Sequence, residues 1–324
     1  MKIFIPLLAT TILAQCFSSA TSNKCDRQEA STKSIEKSQV QKEPSKAVDP
    51  IGTDFSMDET CADSTTVIRI IKGAAQLRRQ ETDTTYKQKL LLHIARSLIG
   101  VPYVAQTLEV NNVEKLVVNI RQLDCTTYVE NVLAIYLCVK NNTSQYSDFK
   151  KFLRQLRYVG GKVSYPTRQH YFTEWIEENT NKGFVYEIQS PNPPFSSVQN
   201  VRISYMSNHY TSYPMLKANP QMVVPIAQME KKLTGRKYRY IPKSEIRNNS
   251  LYRQAIHDGD IIAITTKKEG LDTSHIGIAV WHKDGLHMLN ASQIHKKVVE
   301  EPMTLYQYMQ KHPSQTGIRI IRVK

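Results

Sequence analysis

Cys125 lies in Leu123-Asp124-Cys125-Thr126-Thr127-Tyr128-Val129-Glu130-Asn131-Val132-Leu133, where Tyr128, Val129, Val132, Leu133 and Tyr136 recur at helical spacing. Asp124 is a good N-terminal capping residue, so the pattern predicts a helix with Cys125 in its first turn. Unpaired main-chain N–H groups and the positive end of the helix dipole gather there. Both favour the thiolate, the form of cysteine that attacks a carbonyl carbon. A cysteine on an apolar helix face can also be a small packing residue, so the thiol needs partners before it reads as a nucleophile.

Nine histidines are available as its base. His275 begins a strand-like run, 150 positions downstream, whose next residues on the same face, Gly277 and Ala279, are small. Small residues let a helix lie close across a sheet. Lys283-Asp284-Gly285 reads as a hairpin turn. A two- or four-residue loop there puts odd positions of the first strand on the face of even positions of the second. His275 then shares a face with Met288, Asn290 and Ser292, while His287 and His295 fall on the other. With the longer loop Asn290 sits one diagonal step from His275, where its carboxamide can fix the tautomer of the imidazole. Cys at a helix start, His at a strand start and Asn on the next strand follow the order of papain-like enzymes.

Five short motifs now stand in order. They are Gly100-Val101-Pro102-Tyr103, Leu123-Asp124-Cys125, Asp258-Gly259-Asp260-Ile261-Ile262, Ser274-His275-Ile276-Gly277-Ile278 and Leu289-Asn290-Ala291-Ser292. Over roughly Ile94 to Lys324 the chain resembles NlpC-type papain-like cell-wall peptidases and amidases. The insertion bearing Tyr165-Pro166-Thr167-Arg168-Gln169-His170-Tyr171 and Ser212-Tyr213-Pro214 is similar to the N-acetylmuramoyl-L-alanine amidase-like branch. The resemblance implies Cys125 as nucleophile, His275 as base, Asn290 as the orienting residue and Tyr103 with its hydroxyl near the thiol. It implies as substrate a peptidoglycan fragment, a muropeptide or anhydro-muropeptide, cut between muramic acid and L-alanine. Arg168 is then expected to pair with a stem-peptide carboxylate. His170, Tyr171, Trp175, His209 and Tyr213 are expected to line the cleft, with Asp124 and Ser274 beside the reacting groups. Thr126-Thr127 replaces the usual Ser-Gly pair, Ala105-Gln106-Thr107 replaces glycines after the motif tyrosine, and Asn290 replaces a more common histidine. These departures reshape the pocket beside the thiol and argue against simple transfer of the usual preference for γ-D-glutamyl–diamino acid bonds; a stem-peptide endopeptidase cutting there stands as one alternative and a non-catalytic wall-binding protein as another.

Composition narrows the partners. The 43 Lys+Arg against 29 Asp+Glu give a net charge of +14, scattered along the chain without a zinc-finger or RNA-binding signature. Nucleic acid is therefore not expected, and acidic glycans are. No His-Glu-x-x-His run and no C-x-x-C pair occur, so neither a metal nor another cofactor is expected. Lys2 followed by the apolar run Ile3 to Ala14 predicts a secretory signal peptide over residues 1–20 and a periplasmic or cell-envelope location. No run is long enough for a transmembrane helix. Leu13-Ala14-Gln15-Cys16 echoes a lipoprotein site with Gln15 out of place, which leaves a lipid anchor open, as the oligomeric state is left open. Cys25 and Cys61 can pair in an oxidising compartment or stay free; Cys125 and Cys138 are too far apart along one helix to bridge.

The elements that position the motifs make an α+β fold: a papain-like core in which the nucleophile helix packs on an antiparallel sheet. N-terminal helices and a long insertion are added to it. Residues 21–64 are polar and read as a tether, and residues 65–324 form the amidase domain. Within it, residues 65–120 are the helical N-terminal part, split at Gly73 and the stretch Gln80 to Thr85, with a strand-like run Leu116 to Ile120. Residues 121–147 carry the nucleophile helix, 148–256 an elaboration that shapes the cleft, and 257–324 the sheet.

Overall fold

Branched apolar residues alternate along the C-terminal runs, and they form the centre of an antiparallel sheet in the computed structural model, which describes residues 61–80 and 85–324. Its strands are β1 Val185–Glu187, β2 Ser197–Asn200, β3 Lys237–Pro242, β4 Ile261–Thr266, β5 Thr273–Trp281, β6 Leu286–Ser292, β7 Lys297–Glu300 and β8 Gln315–Val323. The order is β2-β3-β8-β4-β5-β6-β7, with β1 also on β8. Successive side chains of a strand point to opposite faces, so the sheet has two cores. Ile261, Ala263, Ile276, Ile278, Val280 and Leu289 belong to one, and Ile262, Ile264, Ala279, Met288, Ile318 and Ile320 to the other.

The first face takes the longer helices: α1 Cys61–Gln80, α2 Tyr86–Arg96, α3 Cys125–Lys140, α4 Tyr146–Arg157 and α5 Phe172–Asn181. Helix α3 is apolar nearly all round, with Tyr128 to Val139 buried throughout, as expected of a helix enclosed by a sheet and other helices. In the insertion, α6 Tyr205–Asn208, α7 Pro214–Ala218 and α8 Val223–Leu233 gather a separate small core around Leu216, Ile226 and Met206. The second face is covered by α9 Ser250–Ala255 and α10 Leu305–Gln310, through Tyr252, Leu305, Tyr308 and Met309.

The architecture is mixed α+β with an antiparallel sheet, and it corrects several local expectations. Helix α1 begins at Cys61, inside the expected tether, and runs through Gly73 without a break. A single glycine costs only about 1 kcal/mol in a helix interior, which the burial of Ile70, Ile71 and Ala74 on either side offsets. The run Leu116 to Ile120 is irregular apart from an isolated bridge at Leu116, with Leu116, Val117, Val118 and Ile120 buried and Asn119 half-buried. Gly277 and Ala279 do not make room for α3, which packs on the face of Ile276 and Ile278. A Cβ on Gly277 would lie 2.5 Å from Met288 Cγ, so the glycine makes room for a side chain of the neighbouring strand. The signal peptide expected at 1–20, most of the tether, Cys16 and Cys25 lie outside the described residues. No described helix is long and apolar enough to cross a membrane.

A buried ion pair locks α3 to α4. Arg157 Nε donates to Glu130 Oε2 at 2.7 Å and its Nη1 to Val117 O at 2.6 Å. Both side chains are 2% exposed. Removing one partner strands a buried charge. The Glu130→Leu protein is therefore expected to lose about 3–5 kcal/mol in urea denaturation, and the Glu130→Leu/Arg157→Leu protein to recover most of it. A single-variant loss below about 1 kcal/mol would show that the pair does not lock the helices.

Candidate active site

The start of α3 is held by a reciprocal cap. Thr127 N donates to Asp124 Oδ1 at 2.8 Å, and Asp124 N donates to Thr127 Oγ1 at 2.9 Å. This is the use of Thr127 where the sequence departs from Ser-Gly, and it commits the Asp124 carboxylate to the cap. Cys125 is the first helical residue and half-buried. The segment before it is clamped alongside Tyr103: Leu123 N donates to Pro102 O at 3.0 Å and Val104 N to Leu123 O at 3.1 Å. Tyr103 N in turn donates to Lys296 O at 2.9 Å, on the turn between β6 and β7.

The sheet supplies the second half. Helix α3 lies against β5, and the backbone of Ile276 is one of the influences that hold the Cys125 thiol down. The neighbouring residue is His275. Its Nε2 lies 3.0 Å from Asn290 Oδ1. A carboxamide oxygen only accepts, so Nε2 carries the proton and Nδ1 holds the lone pair. The hairpin pairs Trp281 with Leu286 and Ile278 with Leu289, the register in which His275 and Asn290 are diagonal neighbours on one face. Asn290 is fully buried. Tyr308 of α10 closes the other side, its ring centroid 6.4 Å from that of His275 and 4.4 Å from that of His312. The phenol of Tyr308 also feels the charge of Cys125.

Electrostatics correct the expectation of a thiolate. Burial, then the Asp124 carboxylate, push the Cys125 thiol up to about 11, against hydrogen bonds from the backbone and Thr126. Helix-end N–H groups do not overcome this. Burial also pushes the imidazole of His275 below its ordinary value, opposed by Asn290 and reinforced by His312. The resting pair is a neutral thiol and a neutral imidazole. Tyr103 is pushed up to about 12 by burial and then by Cys125 and Asp124, so its hydroxyl stays a donor.

The other expected residues divide. Ser274 is exposed beside His275, its Oγ 3.5 Å from Ile264 O. His209 is exposed and stacks on Tyr205 at 4.2 Å, and Tyr213 is half-buried nearby in the sequence. The remaining ones face inward. Arg168 is 4% exposed, pairs with Glu109 and Glu114 and donates to Leu108 O at 3.1 Å, so its guanidinium is spent inside the protein. Trp175 is fully buried and stacks on Phe172 at 4.8 Å. Tyr171 is 3% exposed and donates to Glu230 Oε1 at 2.6 Å. His170 is bound through Nε2 to Tyr165 O at 2.8 Å, and burial and Arg168 push it down to about 3. Arg168, Trp175 and Tyr171 are thus enclosed, while His170 is half-buried. His295 also departs from expectation: it lies on the face of Asn290, because the turn after Ser292, with Lys296 at φ 58, resets the alternation. Tyr308 and His312 were not anticipated; their four-residue spacing across the end of α10 was the available signal. Among the described residues no cluster of three or more His, Cys, Asp or Glu could hold a metal ion, and Cys61, Cys125 and Cys138 are free.

A family model described as AmiA-like, N-acetylmuramoyl-L-alanine amidase-like, matches residues 93–318. Among solved structures, an N-acetylmuramoyl-L-alanine amidase from Bacteroides uniformis ATCC 8492 is 36% identical with a TM-score of 0.68, over 74% of this chain and 99% of its own. A Bacteroides fragilis protein provisionally named a xylanase is 38% identical with a TM-score of 0.66, over 71% of this chain and 99% of its own. Protein LPG0564 from Legionella pneumophila str. Philadelphia 1, of the family model DUF1460, shares the fold at 22% identity, with a TM-score of 0.61 over 82% of this chain and 97% of its own. No curated protein matches the chain.

Alkylation reads the state of the thiol directly. With Cys125 pushed up to about 11, its iodoacetamide rate is expected to rise about tenfold per pH unit from pH 7 to 10. A plateau near neutral pH would mean a preformed thiolate.

Proposed function

Because the chain belongs to the AmiA-like family of N-acetylmuramoyl-L-alanine amidase-like proteins, we propose that it is a cysteine amidase that cleaves the N-acetylmuramoyl–L-alanine bond of muropeptides and anhydro-muropeptides. The observation that carries this reading is Cys125 at the start of α3, packed against β5, the strand whose His275 has its Nε2 held by Asn290. A papain-like core, with the nucleophile helix on the sheet, is part of the proposal, as is export to the cell envelope, in keeping with the apolar run Ile3 to Ala14.

In this mechanism His275 Nδ1 takes the thiol proton as sulfur attacks the lactyl carbonyl of muramic acid. The proton moves during attack, since both groups rest neutral. Asn290 keeps the proton on Nε2 and the ring in place. The helix-start N–H of Cys125 and the hydroxyl of Tyr103, which feels the charge of Cys125, suit the developing oxyanion. The imidazolium then gives its proton to the amine of L-alanine, which leaves with the stem peptide. Water attacks the thioester with His275 again as base, releasing the muramic acid carboxylate and the free thiol. Glycosidic cleavage asks instead for a pair of free carboxyl groups. Here Asp124 is bound in the cap and Glu301 is held by His295.

Mass analysis of defined muropeptides after incubation tests the bond. Release of an intact stem peptide beginning with L-alanine is expected, and absent from the Cys125→Ala protein. Products cut within the stem peptide would favour the endopeptidase, and unchanged muropeptide a binding protein. His275→Ala should lower kcat/KM at least about 100-fold. The acid limb of kcat/KM should fall below pH 6.5, because His275 is lowered from its ordinary value of 6.5 and stays an active base until protonated. His312→Gln removes a lowering influence and should move that limb upward; no movement would show that His312 does not act on the base.

A further inference from the structure

Glu301 is 1% exposed and takes no part in the mechanism above. Its N–H donates to Met288 O at 2.9 Å, which continues the pairing of β6 with β7 and puts its side chain on the face of Met288 and Asn290. Among the described residues the carboxylate bonds His295 Nε2 alone, at 3.2 and 3.4 Å. A carboxylate only accepts, so Nε2 of His295 carries the proton. The Nδ1 of that ring has no hydrogen bond among the described residues, and the side chain is 33% exposed. Its turn is fixed by His295 N to Ser292 Oγ at 3.2 Å and by Tyr103 N to Lys296 O at 2.9 Å. His295 thus repeats the arrangement of His275, one residue before the Lys296 carbonyl that accepts from Tyr103 N. In the neutral ring its Nδ1 is an acceptor, which complements the N–H of a secondary amide.

We propose that His295 is a substrate-positioning residue whose Nδ1 accepts a peptide N–H of the stem peptide of a muropeptide bound at Cys125, with Glu301 fixing its tautomer. This rests on the muropeptide reading above. The rival role is purely structural, a partner that keeps Glu301 from being buried alone.

Two variants separate the roles. In His295→Gln the amide nitrogen can replace Nε2 toward Glu301 but leaves no acceptor at Nδ1. In His295→Asn the carboxamide oxygen can stand near Nδ1 while Glu301 loses its donor. Binding of N-acetylmuramoyl-tripeptide is measured by calorimetry at pH 8 in the Cys125→Ala protein, with thermal melting alongside. His295→Gln is expected to weaken Kd about tenfold and His295→Asn to stay within about threefold, although the latter melts lower. The reverse order of affinities, equal affinities, or no binding to the Cys125→Ala protein would overturn the proposal. Hydrolysis of the same muropeptide by the unaltered protein reports separately on Cys125, so the two readings fail in distinguishable ways.

Discussion

The hydrogen bond from His275 Nε2 to Asn290 Oδ1, at 3.0 Å, decides which ring nitrogen of His275 keeps its lone pair. An imidazole free to exchange tautomers would present a lone pair only part of the time. The bond exists because the β5–β6 hairpin has one register, and that register is set by which residues are buried. Slipping it by one position would carry Asn290 to the opposite face, among Ile276, Ile278 and the apolar side chains of α3, and exchange the residues of the two cores. Hydrophobic burial across the whole sheet therefore holds the geometry of one polar contact.

A second constraint is the partial burial of Cys125, Tyr103 and His275. Burial raises the thiol and Tyr103 and lowers the imidazole of His275, so each group rests in its uncharged form. The framework carries its own charges elsewhere, in pairs. Arg157 with Glu130 and Arg319 with Glu187 are buried and hydrogen-bonded, and each ties a different layer together. Placing full charges in the scaffold and neutral groups in the site lets charge develop during a reaction against fixed dipoles, where it is stabilised without reorganisation.

How legible this was in the sequence varied with the range of the cause. The α3 boundaries, the β5–β6 hairpin and the shared face of His275 and Asn290 follow from local periodicity and turn chemistry, which one sequence carries in full. The strands β1, β2, β3 and β7 are too short to show alternation, and their partners lie far along the chain. Arg168 reads as a surface charge until the loop bearing Glu109 and Glu114 is folded over it. Trp175 and Tyr171 face the same ambiguity, since aromatics suit a core and a cleft equally. The thiolate expectation failed because the helix end is visible in the sequence whereas the depth of burial beside Asp124 is not.

The central claim is that the sulfur of Cys125 becomes covalently joined to the acyl half of its substrate. Rapid quenching of the protein with an N-acetylmuramoyl peptide, followed by mass mapping of its proteolytic fragments, tests this most directly. A muramic acid thioester on the fragment carrying Cys125, decaying as stem peptide and muramic acid accumulate, is the predicted result. Product formation with no such adduct, or with an adduct on any other residue, would contradict the account.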